Sequence, residues 1–457
     1  MATGEITAMA PVGLGWLVAR IGERTARGIA SAVSGLIRDG EMLPGARLPT
    51  VRALAAELSV SPTTIAEAWA QLRAAGLIGT GRRRGTTVLA PPPGPSAVRS
   101  FEGWRTIDLE HGLPDPALLP PLEDAVAAGV RTERLNSASK DFITPRLRAA
   151  VRPTWPFPAE AWTVATGGRE GVALACQSVA RPGDVIAVEE PTAPWLLEML
   201  RRSRIHVVPV RCDEHGPQPE SLAVALTHRP AAFVYQPRAH VPLGHSVPAE
   251  RVAALAAVVA AGRAGPVVIE HDDLGPLASA PAVSVGTHLP DRVLLVRSYC
   301  TVFGLELRSC VLAGAAPLVE RVRELRTFGM VWSSRILQDA QAFLLTDAAT
   351  GVLLRRARQR YADRRAALAD ALADNGIRVS ARDGLALWVP VPDETRTLVT
   401  LAANGVSAGP GSRCFARQAP APHIRVAIGQ LPDDPALVAD LATMIATAAD
   451  RRPQRSA

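Results

Sequence analysis

The sequence of 457 residues predicts a multi-domain chain: a small helical module with a two-stranded wing, then an α/β domain, then a smaller α+β portion. Three observations predict it. Between Arg47 and Val88, helix caps, a tight corner and a hairpin follow one another in order. From Ile107 onward, short β-rich runs alternate with helical patterns, the mark of a mostly parallel sheet. Between the two lies Pro91-Pro92-Pro93-Gly94-Pro95-Ser96, which can neither continue a helix nor enter the centre of a sheet. The expected divisions are a winged module over 17–90, a Pro-rich linker over 91–105, a large domain over 106–335 and a small subdomain over 336–450.

Residues 1–16 carry little structural signal. Leu17, Ile21, Ile29, Val33 and Ile37 predict a first helix across 17–39. Thr50 is placed to cap a second helix through Leu58, with Val51, Leu54 and Leu58 at three- and four-residue spacing. Ser59-Val60 make the corner. Ser61 then caps a third helix with Pro62 at its first position, where a missing N–H costs nothing. That helix keeps Ile65, Trp69 and Leu72 on one face and leaves Thr63, Thr64 and Glu67 near its open N-terminal end. Gly76 ends it, and Leu77–Thr80 and Thr86–Leu89 read as strands around Gly81-Arg82-Arg83-Arg84-Gly85. Helix, turn, helix and an arginine-tipped hairpin form a winged helix-turn-helix. Its last helix suits a major groove, and its wing suits phosphates or the minor groove.

Composition agrees. The formal charge is +7, and the segment through Ala90 carries ten arginines against six acidic residues, a net +4 in the first fifth of the chain. A basic end module on a near-neutral body points to double-stranded DNA. Cys176, Cys212, Cys300, Cys310 and Cys414 are scattered without paired spacing, which argues against zinc and a disulfide framework and for a reducing, cytoplasmic setting. No signal-peptide pattern and no apolar run of membrane-spanning length is present, so no membrane partner is expected.

In the α/β domain the expected strands are Asp184–Val188, Ile205–Val210, Ala231–Tyr235, Pro266–Glu270 and Arg292–Arg297, with helices over Glu170–Val179 and Glu250–Ala261. A long helical stretch over 334–375 follows. Strands near Leu385–Val391 and His423–Ile428 belong to the terminal α+β portion.

The first module resembles the GntR family of bacterial transcription regulators. Pro44-Gly45, Leu48-Pro49, Arg52, Leu54-Ala55, Val60-Ser61, Thr64, Leu72 and Gly76 match that family's pattern. The resemblance implies DNA contacts by Arg52, Ser61, Thr63, Thr64, Arg82, Arg83, Arg84 and Gly85. Pro62 stands where relatives often carry an arginine, so one contact is missing.

The remainder resembles fold-type-I aminotransferases, in the version fused to GntR modules and called MocR regulators. Gly112-Leu113-Pro114-Asp115, Thr166-Gly167-Gly168-Arg169-Glu170, Pro182-Gly183-Asp184, Glu190-Pro191, Pro242-Leu243-Gly244, Glu270 and Arg297-Ser298 carry it. The resemblance implies a head-to-tail homodimer and a pyridoxal-phosphate pocket. Gly168, Arg169, Ser298 and Arg308 fall at phosphate-binding positions, and Arg425 falls at the arginine that takes a substrate carboxylate. The reactive positions depart from the family. Thr301 stands at the Schiff-base lysine, Ala193 at the stacking aromatic with Trp195 nearby, and His271 at the carboxylate that holds the ring nitrogen. Ala239-His240-Val241 replaces a polar run. Asp272, one residue from His271, belongs on the opposite face of a strand. The chain's single lysine is Lys140, far from the expected strand end.

Together these features predict a DNA-binding regulator whose aminotransferase-like domain dimerises and senses a small anionic ligand, with Thr301 counted among the residues of the altered pocket. No catalysis, no covalently bound cofactor and no metal are expected. The rival readings are a working pyridoxal-phosphate aminotransferase, which Thr301 opposes because a hydroxyl forms no imine, and a regulator that binds pyridoxal phosphate non-covalently.

Overall fold

A computed structural model describes residues 13–38, 42, 45–74, 77–81, 85–89, 107–132, 135–136, 141–262, 265–327 and 333–450. Gly76, the wing tip Arg82–Arg84, the Pro-rich linker and Lys140 lie outside the described residues. The chain divides into two units, Met1–Val98 and Arg99–Ala457.

In the first unit the apolar stretch after residue 13 makes two helices rather than one: α1 (Leu14–Val18) and α2 (Ala26–Arg38). The break has a local cause, since the Thr25 hydroxyl accepts from Gly28 N at 3.0 Å and starts a new helix there. Helix α3 (Val51–Leu58) begins as expected, with Thr50 Oγ1 accepting from Ala53 N at 3.2 Å. Ser59, at φ +56, turns the chain into α4 (Pro62–Ala74), whose first turn is closed by Thr64 N donating to Ser61 Oγ at 3.1 Å. Ile29, Val33, Leu54, Leu58, Ile65 and Trp69 fill the core between these helices. Strands β1 (Ile78–Gly81) and β2 (Gly85–Val88) form the antiparallel wing, each shifted one residue from the sequence reading. The segment before α3 also lies along β2: Val88 N donates to Ala46 O and Leu48 N to Thr86 O, both at 2.9 Å. That third strand-like edge was not legible in the sequence.

The second unit holds two sheets. Strand β3 (Ile107–Leu109) comes first and pairs with the small C-terminal sheet, so the segment placed at the start of the large domain belongs to the small subdomain. Helices α5 (Glu123–Val130) and α6 (Pro145–Val151) follow. Next come β4 (Ala161–Ala165), α7 (Gly168–Val179), β5 (Val185–Glu190), α8 (Pro194–Arg202), β6 (His206–Asp213), β7 (Gly216–Pro217), β8 (Ala232–Tyr235), β9 (Val267–Asp272), β10 (Val293–Ser298) and β11 (Cys310–Gly314). They form one sheet in the order β4-β11-β10-β9-β8-β5-β6-β7. The run β10-β9-β8-β5-β6 is parallel, and only β11 and β7 run against their neighbours. The central strands are buried end to end, as a sheet covered on both faces requires.

The expected single helical stretch over 334–375 is two helices, Arg335–Thr346 and Ala348–Asp374. Asp347 divides them by capping the second, accepting from Thr350 N at 2.7 Å. Strands β12 (Ala386–Pro390), β13 (Val406–Pro410) and β14 (His423–Ala427) complete a sheet in the order β12-β14-β13-β3. Among the described residues no helix is long and apolar enough to cross a membrane.

Candidate nucleic-acid interface and candidate ligand site

Of the residues expected to meet DNA, Ser61, Thr63 and Thr64 lie at the start of α4, Arg52 in the first turn of α3 and Gly85 on the wing. Arg52, Ser61 and Thr63 are exposed and Thr64 is half-buried. Ser61 and Thr64 also serve each other, their hydroxyls 2.9 Å apart, so their first duty is to cap α4. Gly85 opens β2 at φ +70, and a Cβ there would stand 3.0 Å from Arg47 Nε. Gly85 therefore makes room for a cation at the base of the wing. Arg47 is exposed and was missed in the sequence, because it lies outside both helices and the hairpin.

On the second unit, α/β sheets offer ligands the crevice at the carboxyl ends of their parallel strands. A cavity of about 100 Å³ sits there. Its lining includes Ala193 after β5, Gln236 after β8, His271 and Asp273 at the end of β9, and Thr301 after β10; Arg169 from α7, Trp195 from α8 and Arg425 from β14 close it. The Trp195 ring meets His271 edge-on at 5.6 Å, and the Arg169 guanidinium lies 5.7 Å from the centre of the same ring. Arg425 is held by donating to Glu110 O at 2.9 Å.

Strand alternation divides the run Glu270-His271-Asp272-Asp273 between two environments. His271 and Asp273 face the cavity, with His271 Nε2 3.3 Å from Asp273 Oδ1. Burial works to raise the Asp273 carboxyl, but its hydrogen bond and charge interaction with His271, with Arg169 behind, outweigh it and hold the group below its ordinary range. Glu270 and Asp272 point away. Glu270 accepts from Tyr235 Oη at 2.6 Å, Ser284 Oγ at 2.5 Å and Val285 N at 2.7 Å. Asp272 is clasped by Arg238, through Nε at 3.0 Å and Nη2 at 2.8 Å, and by Arg297 Nε at 2.7 Å.

The remaining expected ligand residues separate. Thr301, Arg169 and Arg425 line the cavity. Gly168 and Ser298 are buried behind it, where a Cβ on Gly168 would stand 2.7 Å from Ser298 Cβ, so they fix how α7 packs on β10. Arg308 is a correction. It is exposed and lines no part of the cavity, because its neighbours Leu307 and Ser309 take the inward positions. The first turn of α7 also carries a carboxylate, for Glu170 accepts from Thr166 N. Asp273 was missed in the sequence, although its two-residue spacing from His271 was the available signal.

Both halves of this arrangement have close counterparts. Residues 25–88 match the family of bacterial regulatory proteins called the gntR family, and residues 112–434 match aminotransferase class I and II. The vitamin B6 salvage pathway transcriptional repressor PtsJ of Salmonella typhimurium is 32% identical over 417 residues, spanning 90% of this chain and 95% of that protein. This chain is a GntR-family transcriptional regulator of the MocR type. Another such regulator, the HTH-type transcriptional regulator TauR of Rhodobacter capsulatus, is 29% identical and matches 89% of this chain and 91% of its own. For the effector domain of this MocR-type protein, the kynurenine aminotransferase structure from Pyrococcus horikoshii aligns with a TM-score of 0.68 at 17% identity, over 76% of this chain and 91% of that one, a likeness of fold. As in its family, the winged module binds DNA, and the aminotransferase-like domain follows it in one chain.

Proposed function

We propose that this regulator has given up transamination and uses the cavity to sense a small anionic molecule, with the aminotransferase-like domain also providing a homodimer that presents two DNA-binding modules to paired half-sites. The observation that carries this reading is Thr301 in the cavity wall, where covalent capture of an aldehyde cofactor needs an amine. The cofactor that the fold implies is pyridoxal phosphate, and the wall does not suit its covalent attachment. A neutral hydroxyl stands at the attachment point. His271 occupies the position of the carboxylate that would keep the ring nitrogen protonated, and Asp272 is committed to two arginines on the far face. What the cavity does offer is a pair of guanidiniums, Arg169 and Arg425, with the Trp195 ring and an acceptor in Asp273 in the same lining. Such a set favours a compact carboxylate or phosphate that also carries a hydrogen-bond donor.

The experiment is to purify the chain with excess pyridoxal phosphate, treat it with borohydride and measure its intact mass. Unchanged mass and a colourless protein are expected. A reduced adduct on Lys140 would revive the enzyme reading. A colourless protein stabilised by free pyridoxal phosphate would instead identify that compound as a non-covalent effector.

A further inference from the structure

Behind the wall of the ligand cavity lies a second cluster that nothing above uses. Strands β5 and β6 run parallel with Glu189 opposite Val210, so Cys212, two residues further along, shares a sheet face with Glu189. The turn between β8 and the next helix closes on itself, with His240 N donating to His245 O at 3.0 Å, and delivers His245 to the same place. One ligand-capable atom each from Glu189, Cys212 and His245 lies within 4.8 Å of the other two, the one grouping of this kind among the described residues.

The His245 ring nitrogens and one Glu189 oxygen are buried without partners, while the Cys212 thiol makes only a weak 3.9 Å contact to Val210 O. His245 is 1% exposed, and neither ring nitrogen has a hydrogen-bond partner. Glu189 is also 1% exposed; its Oε1 accepts from Gln236 N at 2.7 Å while Oε2 has no partner. A histidine and a carboxylate buried merely for packing would be expected to satisfy those atoms. Around them the supporting groups are already in place. His240 Nδ1 accepts from Leu243 N at 3.2 Å, and its Nε2 approaches Glu189 Oε1 to 3.3 Å without making a hydrogen bond. The His240 ring stacks on His245 at 4.2 Å and 10°, fixing the plane of the second imidazole. His240 therefore stands beside the carboxylate, where it can donate to Glu189 once a metal draws the side chain in.

We propose that Glu189, Cys212 and His245 form a binding site for a divalent metal ion, with Zn²⁺ as the fitting ion and His240 as the residue that positions Glu189. One thiolate, one carboxylate and one neutral imidazole balance a double positive charge, so the buried assembly is neutral. Zinc takes that mixture of sulfur, nitrogen and oxygen at about 2.0–2.3 Å, and three protein ligands leave its fourth position open. Binding requires the three side chains to draw together by small rotations, and the Cys212 thiol and the buried Glu189 carboxyl release their protons to solvent as the metal–sulfur and metal–oxygen bonds form.

The test uses the full chain after dialysis against a chelator. Equilibrium titration with zinc should give one tight site per chain. Co²⁺ in its place should give a thiolate-to-cobalt charge-transfer absorption in the near ultraviolet. His245→Ala and Cys212→Ser should each lower zinc affinity by more than the roughly 10–100-fold that loss of an orienting neighbour costs, and His240→Ala should fall within that range. Cys300→Ser should leave zinc affinity unchanged. Should a ligand variant fail to fold, the wild-type chain still decides the matter, since zinc must protect Cys212, but not the half-buried Cys300, from alkylation as read by peptide mass. Absence of a stoichiometric site, a cobalt band that survives Cys212→Ser, or alkylation of Cys212 unaffected by zinc would overturn the assignment. None of these readouts depends on whether the cavity binds an anion or on Lys140, so failure here is distinct from failure of the sensing proposal.

Discussion

Asp272 and Arg297 stand directly opposite each other on β9 and β10, joined by a 2.7 Å hydrogen bond from Arg297 Nε to Asp272 Oδ2 inside the sheet. Arg297 is held further by Thr154, donating through Nη1 to its carbonyl at 3.1 Å and its hydroxyl at 3.0 Å, and its guanidinium lies 4.8 Å from the centre of the Trp155 ring. Arg238 takes the other side of the same carboxylate. Asp272, one residue from the family's ring-nitrogen position, is thus spent on holding two buried cations.

Removing that carboxylate should be severe. Asp272→Asn leaves two guanidiniums without their counter-charge, and loss of about 3–5 kcal/mol is expected in urea unfolding. The pH dependence has a definite sign. Burial works to raise Asp272, but the charges and hydrogen bonds of Arg297 and Arg238 hold it at about 2 against an ordinary 3.8. Its contribution is therefore complete above pH 3.8 and is lost as pH falls toward 2. A variant as stable as the wild type at neutral pH would mean the arginines are compensated by other groups.

Glu270 should act in the opposite direction. Burial pushes its carboxyl from 4.5 up to about 7, against the lowering effect of Ser284, Tyr235 and Val285. Folding then favours the protonated group, so its contribution is intact below pH 4.5 and is lost as pH rises through 7. Unfolding of the wild type and of Glu270→Gln, measured at pH 5 and pH 8, should differ in slope by on the order of a few kcal/mol across that interval. Parallel profiles would show that Glu270 is ionised throughout.

DNA binding should depend on the winged module in two separable ways. Arg52→Ala should cost on the order of 1–3 kcal/mol on the cognate site and relax specificity if Arg52 meets a base edge. Neutralising Arg82, Arg83 and Arg84 together should weaken binding to all sequences alike and flatten its salt dependence, because fewer counterions are released. Fluorescence anisotropy over a salt series checks both, and unaltered binding after both changes would remove this interface from consideration.

Ligand sensing should rest on the cavity arginines and not on Arg308. Arg169→Ala and Arg425→Ala should each abolish the thermal shift produced by an anionic metabolite, whereas Arg308→Ala should leave it intact. If no carboxylate or phosphate shifts the melting temperature of the wild type, the domain is a dimerisation scaffold.

Much of this protein is legible in its sequence because the chemistry involved is local. The capping residues Thr50 and Ser61, the apolar spacing of Leu54, Leu58, Ile65 and Trp69, and the alternation of β-rich runs with helices each act over a few residues, so the sequence by itself determined the winged module, the α/β class and the opposed faces of His271 and Asp272. Three things were beyond it. Strand Ile107–Leu109 joins a sheet whose other members lie some three hundred residues on, a pairing that leaves no local trace in so short a run. Arg308 turns outward because tertiary packing gives the inward places to Leu307 and Ser309. The meeting of Glu189, Cys212 and His245 leaves no spacing signal, since they come from two strands and a distant turn. Only the folded sheet, by fixing which side chains share a face, brings them together.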